Sequence, residues 1–212
     1  MSKVICIMGE SGSGKTTAMR NLDPKTTFYV DCDKKGLSWK GWRNQYSEAI
    51  GNYKRCDDVN IVRQLIRVID GKKNWKTIVI DTINGLMVAD EMRRSKEKGY
   101  DKWVDLATCV WDLICECYDY RDDLTVIFTA HTQTERDDSG YAFTRIKTSG
   151  KKLDKIVLES KFTTVLLSKC VDGKYLFETQ AKNSTAKSPM GAFADFEVEN
   201  DITQVIKALD EF

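Results

Sequence analysis

Lys3-Val-Ile-Cys-Ile-Met8 runs directly into Gly9-Glu10-Ser11-Gly12-Ser13-Gly14-Lys15-Thr16, and the reading of this stretch decides the fold. A short, mostly apolar run bounded by a glycine turn reads as a strand buried on both faces. The segment after it matches G-x-x-x-x-G-K-[ST] in full. A helix is expected next, from about Lys15 to Asn21, stopped by Asp23-Pro24. Strand before and helix after is the context that the motif requires. Its glycines let the backbone curl until successive N–H groups face a phosphate, and the helix start adds the positive end of its peptide dipoles. Gly9, Glu10, Ser11, Gly12, Ser13, Gly14, Lys15, Thr16 and Thr17 are therefore the nucleotide-binding residues. Lys15 is expected on the β- and γ-phosphates, and the Thr16 hydroxyl on Mg²⁺. The alternative, a chance glycine turn, explains neither the lysine nor the flanking elements.

Outward from this loop, strands and helices alternate. Thr27–Cys32 reads as a second strand, Thr77–Ile80 as a third that ends in Asp81, and Leu124–Ala130 as a fourth that ends at His131. Val59, Val62, Leu65, Ile66 and Ile69 recur at helical spacing, and further helices fit 83–95, 103–120 and 201–209. Residues 34–58 are polar with interspersed aromatics and carry no assignment. Residues 162–169 and 174–180 flank Val171-Asp172-Gly173 and read as a β-hairpin. The fold class is α/β: a mostly parallel central sheet with helices on both faces and an antiparallel C-terminal hairpin. One domain spans 1–212, with an acidic segment at 195–212.

Strand ends in such a sheet border the ligand crevice. Asp81 is thus placed to join Thr16 at the metal, although an acid in this position can also cap the following helix. Thr82, not a second acid, follows it. Hydrolysis needs a carboxylate to position water, and Asp31 and Asp33 end the second strand on one face by alternation, so one orientation could point both toward the nucleotide; a solvated strand-end acid is the competing reading.

The 212 residues include 33 Lys and Arg against 32 Asp and Glu. This near balance excludes a nonspecific polycation but not local basic patches. No apolar run approaches the ~20 residues that cross a bilayer, and the N-terminus does not resemble a signal peptide. A cytoplasmic protein is expected, within the host if phage-encoded, with no membrane partner. Seven cysteines without a C-x-x-C pair, and a single histidine, read as reduced core rather than a zinc site.

Four segments in this order resemble the RecA family of recombinase cores: 9–17, Phe-Tyr-Val-Asp-Cys-Asp at 28–33, Ile-Val-Ile-Asp-Thr at 78–82 and Val-Ile-Phe-Thr-Ala-His at 126–131. The resemblance covers about residues 3–191. The nearest group is the phage single-strand annealing ATPases of the Sak class. It implies a RecA-like P-loop NTPase using ATP and Mg²⁺, and assembly as a ring or filament. It also implies a catalytic role for Lys15 and Asp81, with the catalytic carboxylate on Asp33, where the family has Glu, and the γ-phosphate sensor on His131, where it has Gln. Ala181-Lys182-Asn183 resembles the segment that offers a lysine to a neighbouring subunit's ATP, so Lys182, or Lys187, would act in trans. One departure is that only two residues precede the first strand, leaving no counterpart of the arm that links protomers.

Two basic stretches lie where the resemblance places the family's DNA loops. One holds Tyr141, Phe143, Arg145, Lys147, Lys151 and Lys152, mixing rings for base stacking with cations for phosphates. The other holds Arg93, Arg94, Lys96 and Lys98. A solvated charged face is the alternative for both, and the acidic 195–211 segment could compete with DNA for the first. The expected function is a single-stranded-DNA-binding ATPase in phage recombination, annealing or repair, with single-strand-binding or other replication proteins as candidate partners. Two rivals stand beside it: a nucleotide or small-molecule kinase, for which no arginine-rich lid is evident, and a nucleotide-gated interaction module for replication proteins.

Overall fold

The computed structural model describes residues 1–99, 101–148 and 157–212. Its strands are β1 (Lys3–Gly9), β2 (Thr27–Asp31), β3 (Tyr53–Arg55), β4 (Thr77–Asp81), β5 (Thr125–Arg136), β6 (Ala142–Ile146), β7 (Thr164–Val171), β8 (Lys174–Glu178) and β9 (Glu197–Glu199). The α-helices are α1 (Trp42–Gln45), α2 (Val59–Asp70), α3 (Ile83–Arg93), α4 (Asp101–Cys117) and α5 (Ile202–Asp210). The sheet order is β3-β2-β4-β5-β1-β7-β8-β9, with β6 paired to β5 outside this path. From β3 to β7 every neighbour is parallel, and β8 and β9 add antiparallel strands at the C-terminal edge. This is the expected α/β class.

Alternation along the central strands divides the core into two layers. Val4, Cys6 and Met8 of β1, with Ile78 and Ile80 of β4, face α2, α3 and α4 through Val62, Ile66, Leu86, Leu113 and Ile114. Ile5, Ile7, Val79 and Ile127 face the other way, onto Met19, Leu37, Tyr46, Tyr53 and α5. The segment 34–52, unassigned from sequence, is this second cover. It contains the single helical turn α1, too short to carry a periodicity signal.

Element ends follow local chemistry. The Asp58 carboxylate caps α2 by accepting from the Asn60 and Ile61 N–H groups, and the Thr82 hydroxyl caps α3 by accepting from Gly85 N–H. Asp172 (φ 50°) and Gly173 (φ 76°) turn β7 into β8, as an Asp-Gly hairpin predicts.

Two elements depart from expectation. After the glycine loop there is no helix over 15–21, only a 3₁₀ turn at Thr17–Met19. Thr16 and Thr17 are stiff β-branched residues, and Asp23-Pro24 stops the chain before an α-helix can propagate. The second is β5, which does not end at Ala130 but continues to Arg136 and folds back as β6. Beyond His131 it alternates polar residues on both sides, so it carries no buried-strand signature. No helix among the described residues is long and apolar enough to cross a membrane. Of the seven cysteines, none in a disulfide, Cys6, Cys32, Cys56 and Cys117 are buried, Cys109 and Cys115 are half-buried, and Cys170 is exposed rather than in the core.

Candidate functional site: the glycine loop and the strand ends

The chain leaves β1 at Gly9 and curls through Gly12 (φ 80°) and Gly14 (φ 100°), a backbone shape that side chains disfavour. Close approach adds a second constraint. A Cβ on Gly9 would stand 2.5 Å from Ser13 Oγ and from the Ser168 carbonyl, and one on Gly14 would stand 2.8 Å from the Tyr175 ring. Lys15 is buried, and its ammonium donates to the Gly9 and Glu10 carbonyls at 2.7 Å each. It thus lies across its own loop. Burial pulls its pKa down to about 8, against the pull of the Asp81 carboxylate. Because only a 3₁₀ turn follows, the N–H groups of the loop and this lysine, rather than a long helix dipole, supply the positive potential.

Asp81 ends β4 with its carboxylate buried among three hydroxyls. Thr16 Oγ1 donates to Oδ2 at 2.8 Å, Tyr29 OH to Oδ2 at 2.5 Å, and Thr129 Oγ1 to Oδ1 at 2.6 Å. Burial, reinforced by the Asp81 charge, raises the Tyr29 pKa, so the phenol stays a donor. The Asp81–Thr82 peptide bond is cis. Sequence reasoning paired Thr16 with Asp81 and missed Tyr29 and Thr129. Both sit inside strands already recognised, but no local pattern says which carboxylate a strand hydroxyl will meet.

β5 lies between β1 and β4, and the register Gly9↔His131 sets His131 beside the first glycine of the loop. Its backbone N–H donates to Asn84 Oδ1 at 2.7 Å, and Asn84 Nδ2 donates to the Lys147 carbonyl at 2.8 Å. Burial and the Lys15 charge lower its pKa, so the imidazole is neutral at pH 7.

The two strand-end acids separate. Asp31 is buried and turned to the far edge, where Tyr53 OH and Gly36 N–H donate to its Oδ2 at 2.7 Å each. Asp33 accepts from Thr82 Oγ1 at 3.0 Å and pairs with Lys35 at 2.6 Å. Its charge is felt at Lys15 and His131. It is the acid on the loop side.

A cavity of about 330 Å³ opens over the loop, lined by Gly12, Lys15, Thr16, Lys35, Thr82 and His131 among others. A second, of about 480 Å³, shares Thr17 and Tyr175 with it and continues to Arg20, Leu176 and Asn200. This annex, with the Tyr175 ring at its joint, was not foreseen; Tyr175 reads in sequence as an ordinary strand aromatic. The donor set fits a nucleoside polyphosphate with Mg²⁺. Loop N–H groups and Lys15 suit the phosphates, while Thr16 and Asp81 suit a hard cation. When bound, the metal would neutralise phosphate charge during transfer. Among the described residues no cluster of three His, Cys, Asp or Glu side chains could hold a metal. Thr16 and Asp81 would therefore need ligand oxygens to complete the coordination.

The expected DNA residues are not alike. Tyr141 is half exposed at the foot of β6, and its hydroxyl meets the Lys182 carbonyl at 2.8 Å and Asn183 Oδ1 at 2.7 Å. Phe143 is partly exposed and Lys147 exposed. Arg145, by contrast, is buried between Glu135 (3.3 Å) and Glu159 (3.8 Å), where it braces the hairpin. Arg93 pairs with Asp57, and Arg94 with Glu97 at 2.7 Å and Asp105 at 3.1 Å; Lys96 and Lys98 are exposed. Lys151 and Lys152 lie outside the described residues. Lys182 is exposed and lines neither cavity described above. The acidic C-terminal segment is engaged locally: Asp201 caps α5, Glu197 pairs with Lys169 at 2.6 Å, and Asp210 pairs with Lys3 at 2.6 Å.

A glycine loop between a central strand and a helical turn, with its lysine folded inward and its threonine on the carboxylate of a nearby strand end, defines a P-loop nucleoside triphosphatase. The chain belongs to the AAA domain family, whose model matches residues 1–189. No curated protein sequence matches it. Among solved structures, a KaiC-like protein from the hyperthermophilic archaeon Pyrococcus horikoshii is similar with a TM-score of 0.47 and 15% identity, over 82% of this chain and 76% of that one.

Proposed function

We propose that this P-loop ATPase is a RecA-like, Mg²⁺-dependent enzyme that binds single-stranded DNA and serves phage recombination, annealing or repair. The observation that carries this reading is the continuity of β5. The same strand pairs His131 with Gly9 at the phosphate loop and then projects as the β5–β6 hairpin. A change at the γ-phosphate felt by His131 has a direct route to Tyr141, Phe143 and Lys147. Rings and cations on one arm suit a flexible strand, whose bases stack and whose phosphates pair. ATP would place its phosphates on residues 9–17 and its base in the annex beside Tyr175. Asp33 would orient the attacking water, and His131 would sense the γ-phosphate. The Tyr141 bond to the Lys182 carbonyl ties the hairpin to the segment whose lysine would act on a neighbouring subunit's ATP in a homo-oligomer.

The test is ATP hydrolysis by the purified chain with and without single-stranded DNA, alongside Lys15→Ala. Stimulation by the strand and loss of turnover in the variant are expected. Turnover indifferent to DNA would redirect the reading to a kinase or a protein-directed ATPase. Unchanged hydrolysis in Lys15→Ala would overturn the phosphate assignment.

A further inference from the structure

One cation-rich stretch of the described residues lies away from both expected DNA stretches. Residues 34–55 hold six cations (Lys34, Lys35, Lys40, Arg43, Lys54, Arg55) and a single acid, Glu48, in a chain whose net charge is only +1. The fold gathers four of the six around one cavity of about 340 Å³, lined by Lys34, Lys35, Arg43 and Arg55 with Trp42 and Glu48. This cavity sits at the β3 edge of the sheet, the opposite end from β9.

The pocket is built rather than incidental. Trp42 packs against Tyr53 with ring centroids 5.5 Å apart, and Tyr53 is fixed by its bond to Asp31. A Cβ on Gly36 would stand 2.9 Å from the Trp42 ring, so the turn at 34–36 needs glycine to let the indole lie against it. The Arg43 guanidinium rests over the indole at 4.8 Å, which orders a long cation beside the cavity. Lys34 is paired with Asp57 at 2.7 Å and Lys35 with Asp33 at 2.6 Å. Among the described residues, Arg43 and Arg55 are in no ion pair, and the Glu48 carboxylate, which lines the same cavity, accepts from the Arg55 backbone N–H at 3.5 Å. Two guanidiniums outside any ion pair, flanked by two lysines, supply forked donors of the kind that phosphate oxygens accept.

We infer that this pocket is a second phosphate site, distinct from the glycine loop, and that it seats the phosphodiester backbone of a single nucleic-acid strand. The inference extends the strand-binding reading above but uses none of the hairpin residues. Lys35 gives it a consequence, because the same side chain lines the cavity over the glycine loop. A strand phosphate in the pocket competes with Asp33 for Lys35, and so reports strand occupancy to the acid proposed to orient water.

The experiment is fluorescence anisotropy of a labelled oligo-dT at several salt concentrations. It compares wild type, Arg43→Ala with Arg55→Ala, the conservative Arg43→Lys with Arg55→Lys, and Tyr141→Ala with Phe143→Ala, each checked for an unchanged melting temperature. Losing two phosphate contacts should weaken binding about tenfold or more and flatten the log–log salt slope by roughly 1.4, since each contact on a single strand contributes about 0.7. The lysine pair should keep most of the slope while losing some affinity. Affinity and slope equal to wild type in the alanine pair, with binding lost only in the hairpin variant, would overturn this site and leave the hairpin reading standing. Displacement of the oligonucleotide by dTMP at equal phosphate concentration would assign the pocket to free nucleotide and overturn the strand assignment. Absence of oligo-dT binding by wild type would overturn both readings.

Discussion

Thr16 Oγ1 and Asp81 Oδ2 lie 2.8 Å apart across 65 positions of sequence. This contact joins the phosphate loop to the end of β4. It is also one of three hydroxyl contacts that hold a buried carboxylate, and an unpaired charge there would be costly. Hydrogen bonds to a charged group stabilise by about 1.5–3 kcal/mol each, roughly twice the neutral value.

The Tyr29 contact can be removed without touching the loop. Tyr29→Phe keeps the ring in its cluster with Tyr46 and Tyr53 and deletes only the bond to Asp81. Two donors remain, so the expected loss is about 1–2 kcal/mol. A urea denaturation midpoint equal to wild type would show that Thr16 and Thr129 alone suffice.

Nucleotide affinity should fall at alkaline pH. In the free protein Lys15 has a pKa of about 8, lowered by burial. It is charged at pH 7 and mostly neutral at pH 9, whereas a bound polyphosphate favours the ammonium and raises the pKa again. Affinity for ATP should therefore drop up to about tenfold per unit above pH 8, with proton uptake on binding near pH 9. Calorimetric titration in two buffers of different ionisation enthalpy measures that uptake. Affinity constant from pH 7 to 9 would contradict the lysine's role.

Asp33→Asn separates binding from turnover. The amide can keep the Thr82 contact but loses the charge that pairs with Lys35. Nucleotide affinity should stay within about threefold of wild type while turnover falls about a hundredfold or more, the usual scale for a positioned general base. Equal turnover would move the water-orienting role to another group.

Tyr141→Ala with Phe143→Ala tests the hairpin. Each stacked base is worth about 1–3 kcal/mol, so strand affinity should fall at least tenfold while nucleotide affinity is kept. Tyr141→Phe serves as the control, because it removes only the hydroxyl bonds to Lys182 and Asn183. If Tyr141→Phe alone reproduces the loss, the hydroxyl tether rather than ring stacking sets strand affinity.

Local chemistry made much of this protein legible from its residues. The glycine loop, with its lysine and threonine, is a contiguous motif whose backbone requirements are written in its glycines. The buried strands announce themselves as apolar runs, and Asp81 as the polar residue that ends one of them. Asp172-Gly173 names its own turn. Readings went astray where no local pattern exists. The 3₁₀ turn after the loop reflects β-branched residues and a nearby proline outweighing the usual strand–loop–helix expectation. The second half of β5 alternates polar residues on both faces and is recognisable only once β6 pairs with it.

Other assignments required distant parts of the chain to meet. Alternation would turn Asp31 and Asp33 to one face, but β2 ends at Asp31 and the two acids part. Tyr53 and the Gly36 N–H capture the first, leaving the second to Thr82 and Lys35. Arg145 resembled a DNA contact until Glu135 and Glu159 closed around it. The Tyr175 annex and the basic pocket over Trp42 exist only as cavities between elements far apart in sequence. Residue type and spacing specify what a backbone can do locally; which buried charge finds which partner is settled by desolvation, paid only once when the whole chain packs.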